Sequence, residues 1–189
     1  MKILFLSLLS VAALASGAYA QQALVPGKDV KLGKIEIAGV KTPEYQITGG
    51  PQKRSKTGTW LEVEIEFETK PEDIDELTFN YTIMVENKLL DGSVTHVNIP
   101  KGRDHYSVMY VSPRSLEKLT GGKPLSPAAI QGAWVTVSKQ GQVLDAPAAY
   151  KPGTQVPNLP HIAGIVLNKN ETPFAPLFYD RYEAIKANR

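Results

Sequence analysis

Three histidines, His96, His105 and His161, are the side chains best suited to acid–base or metal chemistry in this chain of 189 residues, which contains no cysteine. A zinc site needs three or four ligands at about 2 Å. No thiolate is available here, and neither a His-x-His pair nor an HExxH motif occurs. His96 and His105 fall on consecutive predicted strands, which makes them candidate cross-strand neighbours but not a ligand set. A nucleophilic serine needs a base and an oxyanion hole. There is no Gly-x-Ser-x-Gly, and Ser112, Ser115 and Ser126 are explained as turn and cap residues. Gly121-Gly122-Lys123 runs into a proline rather than a helix start, so it does not read as a phosphate loop. Glu72, Asp73, Asp75 and Glu76 are the densest acids and read as an exposed turn. No catalytic residue, cofactor-binding residue or metal ligand is assigned, and the sequence implies no cofactor and no enzyme.

Aromatic side chains remain. Trp60 and Trp134 are the two tryptophans, and exposed rings of this kind can stack on sugars. They are the candidate ligand-binding residues of this sequence, against the alternative that they fill the core, where aromatics dominate buried area. Tyr106 and Tyr110 share one face of a strand.

The elements that hold these residues are mostly strands. Trp60 to Thr69 alternates Leu61, Val63, Ile65 and Phe67 with Glu62, Glu64, Glu66 and Glu68, so one face is buried and the other wet. A slip of one residue would bury four carboxylates, which pins the register. Other predicted strands start at Lys31, at Tyr45–Ile47, and at Leu77–Val85, the last turning at Asp91-Gly92 into Val94–Ile99. His105–Val111 follows, then a hairpin of Ala133–Ser138 with Val143–Ala149, and a short Gly164–Asn168. Pro152 to Pro160 reads as an extended crossing loop. Ser112-Pro113 opens a short helix that Gly121 stops, and Ser126-Pro127 repeats the device. Thr172-Pro173 followed by Phe174, Leu177, Phe178, Tyr182 and Ile185 predicts a C-terminal helix over 173–187, packed on the sandwich. Many short strands separated by turns predict a mainly β chain folded as a sandwich of two sheets.

The N-terminus bounds the compartment. Lys2, the apolar run Ile3–Leu14 and Ala18-Tyr19-Ala20 read as a secretory signal, residues 1–20, cleaved before Gln21. Residues 21–30 form a flexible lead-in, and 31–189 a single domain. No later stretch is long and apolar enough to span a bilayer as a helix. The expected location is the periplasm, in association with the outer membrane, or the cell surface. The remaining 169 residues carry 20 basic and 19 acidic groups, a balance that gives no reason to expect nucleic acid as a partner. A core of this size can stand without disulfides.

The segment Asn168-Lys169-Asn170-Glu171-Thr172-Pro173-Phe174-Ala175-Pro176-Leu177-Phe178-Tyr179-Asp180-Arg181-Tyr182-Glu183 resembles the tail of exported proteins of verrucomicrobial gut bacteria, whose function is uncharacterised. The resemblance implies an immunoglobulin-like sandwich, association with a pilus-like outer-membrane locus, and a role in assembly or host contact through envelope or pilus-like proteins or the host surface. It transfers no catalytic residues. The sequence therefore leads to a non-catalytic envelope or surface protein acting by protein–protein contact. The alternative is a carbohydrate-binding module for mucin-like glycans, using Trp60 and Trp134.

Overall fold

Alternation in the Glu-rich strand drives the architecture. A computed structural model describes residues 23–46, 48–50, 57–70, 72–123 and 129–187. The signal segment 1–20, Ile47 and the Ser126-Pro127 cap lie outside the described residues.

Strand β2 (Thr59–Thr69) sends Leu61, Val63, Ile65 and Phe67 inward, all essentially without exposure. Each such side chain contributes about 1.5–3 kcal/mol on burial. β2 is flanked by β1 (Val30–Lys41) and β5 (Gly102–Val111), both antiparallel to it. The facing sheet is built on β3 (Ile74–Val85), between β4 (Lys88–Ile99) and β6 (Ile130–Lys139). β6 also pairs with the short β7 (Gln142–Val143) and β8 (Ala148–Ala149). β9 (His161–Ala163) joins β4 in parallel, and β10 (Val166–Asn168) joins the end of β5 in the first sheet. The sheets are therefore ordered β1-β2-β5-β10 and β7-β6-β3-β4-β9. They close on one core, in which Phe67 of the first sheet meets Phe79 of the second with ring centroids 4.8 Å apart.

The single α-helix among the described residues, α1 (Pro113–Leu119), starts as its sequence predicts. Ser112 accepts a hydrogen bond from the Ser115 amide, Pro113 opens the first turn, and Gly121 follows in the left-handed region at φ +64°.

Four sequence expectations need correction. The β3–β4 hairpin turns at Glu86-Asn87, not at Asp91-Gly92. Both turn residues have positive φ (47° and 57°), as a two-residue primed turn requires. Asp91 and Gly92 lie inside β4, and the glycine serves a different need. A Cβ there would sit 2.6 Å from the Val166 side chain, so Gly92 lets β10 of the opposite sheet approach β4. Tyr45 is not in a strand; it is half exposed, and its hydroxyl donates to the Pro173 carbonyl. Val143–Ala149 is not one strand, because Asp145 and Pro147 interrupt it between β7 and β8.

The largest difference is at the C-terminus, where the predicted helix over 173–187 is replaced by turns and bridges. A short 3-10 turn, Lys169–Glu171, is fixed by a capping box between Asn168 and Glu171. Beyond it Ala175, Leu177 and Arg181 donate to carbonyls three residues back, at Thr172, Phe174 and Phe178. Phe178 sits at φ +51°, which no helix permits. Isolated helices of this length are marginal in water. Here the tail finds better partners in strand edges that β9 and β10 leave uncovered.

Candidate functional site

β10 covers only Met109–Val111 of β5, and β9 covers only Leu89–Asp91 of β4. The remaining edges of β4 and β5 face each other across an open seam of the sandwich. The C-terminal segment closes it. Tyr182 bridges to Tyr106 on β5, and Ile185 bridges to His96 on β4. The Val97 amide donates to the Ala184 carbonyl and the Lys186 amide to the Thr95 carbonyl, both at 2.8 Å. The chain thus crosses from one sheet to the other at Glu183.

Glu183 meets both of the buried histidines. Its carbonyl lies 3.1 Å from His96 Nδ1, and its carboxylate lies 2.7 Å from His105 Nδ1. A carbonyl only accepts, so His96 Nδ1 carries the proton. His96 Nε2 is then the acceptor for the Ser107 hydroxyl at 2.9 Å, and Ser107 in turn accepts from the Tyr81 hydroxyl at 2.8 Å. Every polar atom of this chain is satisfied with the imidazole neutral. Burial pushes the His96 pKa down from 6.5 to about 4, against its bonds to the tail backbone, and pushes the Tyr81 hydroxyl up. His105 Nε2 is buried and has no hydrogen-bond partner among the described residues.

Seen as residue types, Ser107, His96, His105 and Glu183 include a nucleophile, a base and a carboxylate. Their placement turns them to another use. Ser107 has no exposed surface, His96 is 1% exposed, and the carboxylate is bonded to the other histidine. Ser107 is already bonded on both sides, donating to His96 and accepting from Tyr81. The arrangement is a polar brace that ties β3, β4, β5 and the tail together. Among the described residues no group of three His, Asp or Glu side chains is placed to hold a metal ion. His161 stands apart at the surface, paired at 2.7 Å with Asp91.

Before it reaches the seam, the tail crosses the outer face of the first sheet. Phe174 stacks on Tyr110 (centroids 4.7 Å, interplanar 10°) and meets Trp60 edge-on (5.7 Å, 87°). With Val108 they form a second, smaller core. The Glu row is therefore only partly wet. Glu64 receives two hydrogen bonds from the Arg181 guanidinium, at 2.6 and 3.2 Å, and one from the Tyr182 hydroxyl. Arg181 also lies 3.6 Å over the Tyr106 ring. Burial raises the Glu62 pKa, opposed by a hydrogen bond from Tyr110. Lys169 is buried, donates to the Ala175 carbonyl, and has its pKa lowered by desolvation. Glu68, farther along, pairs with Lys31 and Arg103.

The candidate ligand-binding residues Trp60 and Trp134 are 8% and 6% exposed. Trp60 donates to Thr42 and Trp134 to the Thr154 carbonyl. Neither presents a free ring face. The four acids of the β3 connector do not converge either: Asp73 accepts from the Lys101 amide, while Glu76 pairs with Lys186 of the tail. Sequence reasoning missed Glu183, Arg181 and Tyr182 as positioned groups because it laid them along a helix, Tyr182 on its apolar stripe and Arg181 and Glu183 outside that stripe. Pro173 and Pro176, within four residues of each other, were the available warning.

A protein-family model matches the chain over residues 21–189. The chain belongs to that family. A crystal structure of a protein from Akkermansia muciniphila is also similar, with 27% sequence identity and a TM-score of 0.73, covering 85% of this chain and 94% of that one. No curated protein matches the chain. The family match takes in both sheets and the tail, so the segment that closes the seam lies within the matched region.

Proposed function

We propose that this family member is an exported protein of the bacterial envelope, immunoglobulin-like in its sandwich, that acts by protein contact in assembly or adhesion and not by catalysis. The carrying observation is the outer edge of β1. That strand ends its sheet, and no described residue adds a backbone hydrogen bond beyond it between Lys34 and Lys41. An extended segment of a partner can add there as a further strand, with main-chain bonds supplying affinity. Lys34, Glu36 and the bulge between Leu32 and Ile35 guard the edge against indiscriminate pairing. A partner strand therefore has to bring matching charges.

Export is supported by the pattern of residues 1–20 and by a family match that begins at residue 21. The inward placement of the histidine, serine and glutamate groups supports a non-catalytic role.

Because the chain has no cysteine, a single introduced thiol reports its own surroundings. Ala38→Cys on the β1 edge and Asn80→Cys on an exposed position of β3 would be compared by crosslinking in intact producing cells. The proposal expects a discrete adduct with an envelope protein from Ala38→Cys alone. Identical adducts from both sites, or none from either, would remove the edge as the contact surface.

A further inference from the structure

We propose that the segment Tyr182–Lys186 is an acid-sensitive clasp, which holds the seam between the sheets closed while His96 is neutral and releases the edges of β4 and β5 when His96 takes up a proton. This is a regulation of the fold itself and does not depend on the contact role assigned to β1.

The geometry explains why one proton matters. In the closed state His96 donates through Nδ1 to the Glu183 carbonyl and accepts through Nε2 from Ser107, which accepts from Tyr81. A proton on Nε2 sets two donors against each other. Ser107 must then turn its hydrogen away, and it has no exposed surface through which water can accept it. One buried donor is orphaned and a buried imidazolium is left without a counter-ion, and both work against the bonds that remain.

The groups packed around His96 offer no compensation. From the tail, the Glu183 carboxylate is turned to His105 and Lys186 is turned to Glu76. From β5 come Ser107 and His105. From β3 come Tyr81, Glu76 and the Phe79 ring, whose centroid is 5.6 Å from that of His96. On β4 itself Thr95 bonds to Thr78. The Glu183 carboxylate can turn toward His96 only by abandoning His105.

Relief comes from the weakest cover. β3, β4 and β5 are each locked by a ladder of eight or more paired residues. The backbone of the clasp is held to β4 by two hydrogen bonds and to β5 by one bridge, and its other ties are side-chain bonds, from Tyr182 to Glu64, from Glu183 to His96 and His105, and from Lys186 to Glu76. Local opening draws on regions of this kind. The sign follows from the depressed pKa of His96. Closing is fully favoured above the ordinary histidine value of 6.5 and loses ground as pH falls toward about 4. The equilibrium constant for closing falls by at most about 300-fold across that interval, because Phe79 and Ser107 keep part of the ring covered after the clasp lifts.

The test is amide hydrogen exchange on the purified protein, resolved by NMR and corrected for intrinsic rates, from pH 7.5 to 4. The Val97 and Lys186 amides, which bond across the clasp, should lose protection at least tenfold more than amides of the β3–β6 ladder. His96→Phe should abolish that excess. Glu183→Gln, which keeps the backbone carbonyl, should retain it; its loss in Glu183→Gln would transfer the switch to His105 and overturn the assignment to His96. Parallel loss of protection in clasp and ladder would also overturn the proposal. Should His96→Phe fail to fold, the His96 ring proton resonance decides: titration at or above 6.5 in the folded protein refutes the clasp.

Discussion

Replacing Phe174 by alanine tests whether the tail is bound to the outer face of the first sheet by packing. Phe174 is 5% exposed and lies between two rings, stacked on Tyr110 and edge-on to Trp60. Truncating a buried phenylalanine costs about 3–5 kcal/mol, of which each aromatic contact accounts for about 0.5–1.5 kcal/mol beyond area burial. Trp60 and Tyr110 stand on strands that cannot move into the hole, whereas the turn carrying residue 174 can settle toward them. That places the expected loss near the lower bound, about 3 kcal/mol. Urea denaturation followed by far-ultraviolet circular dichroism measures it. Tryptophan emission adds a local reading, because uncovering Trp60 shifts the native spectrum to the red while Trp134, in the other sheet, stays covered by its own loop. A loss under about 1 kcal/mol with an unchanged native spectrum would show that the tail is not anchored by this contact.

Gly92→Ala should destabilise by about 1–3 kcal/mol, since its Cβ would sit 2.6 Å from Val166; a thermal melt checks this, and a neutral result would mean β10 does not pack on β4 as described. Global stability should fall as pH drops from 6.5 to 4, because the unfolded chain protonates His96 before the folded one does. The interval corresponds to about 3 kcal/mol, read as the gap between pH–stability curves of wild type and His96→Phe, and parallel curves would refute it. Glu64→Gln should cost only about 1 kcal/mol by urea denaturation, since Arg181 is 43% exposed and water screens the pair.

Most of the first sheet was legible in the sequence. The Leu61–Phe67 alternation states which face of β2 is buried, and the Ser112-Pro113 start and Gly121 stop of α1 are written in local chemistry. The β3–β4 turn was misplaced because Asp91-Gly92 carries the composition of a hairpin while Glu86-Asn87 does not. Gly92 is a glycine for the sake of Val166, which lies far along the chain. The site was less legible still. His96 and His105 were visible as strand residues, but nothing in their spacing placed them on opposite sheets with Glu183 between them.

The sequence by itself determined that this chain makes two-faced strands around a single core without covalent links, since side-chain periodicity and cap residues act over a few positions. Only the tertiary structure decided the path of residues 173–187. A segment with helical spacing but two prolines had no strong local preference, so it took the conformation that satisfied the vacant backbone edges of β4 and β5 and buried Phe174 between two rings. Edges left open by short neighbouring strands exist only once both sheets are assembled, and no local pattern can announce them.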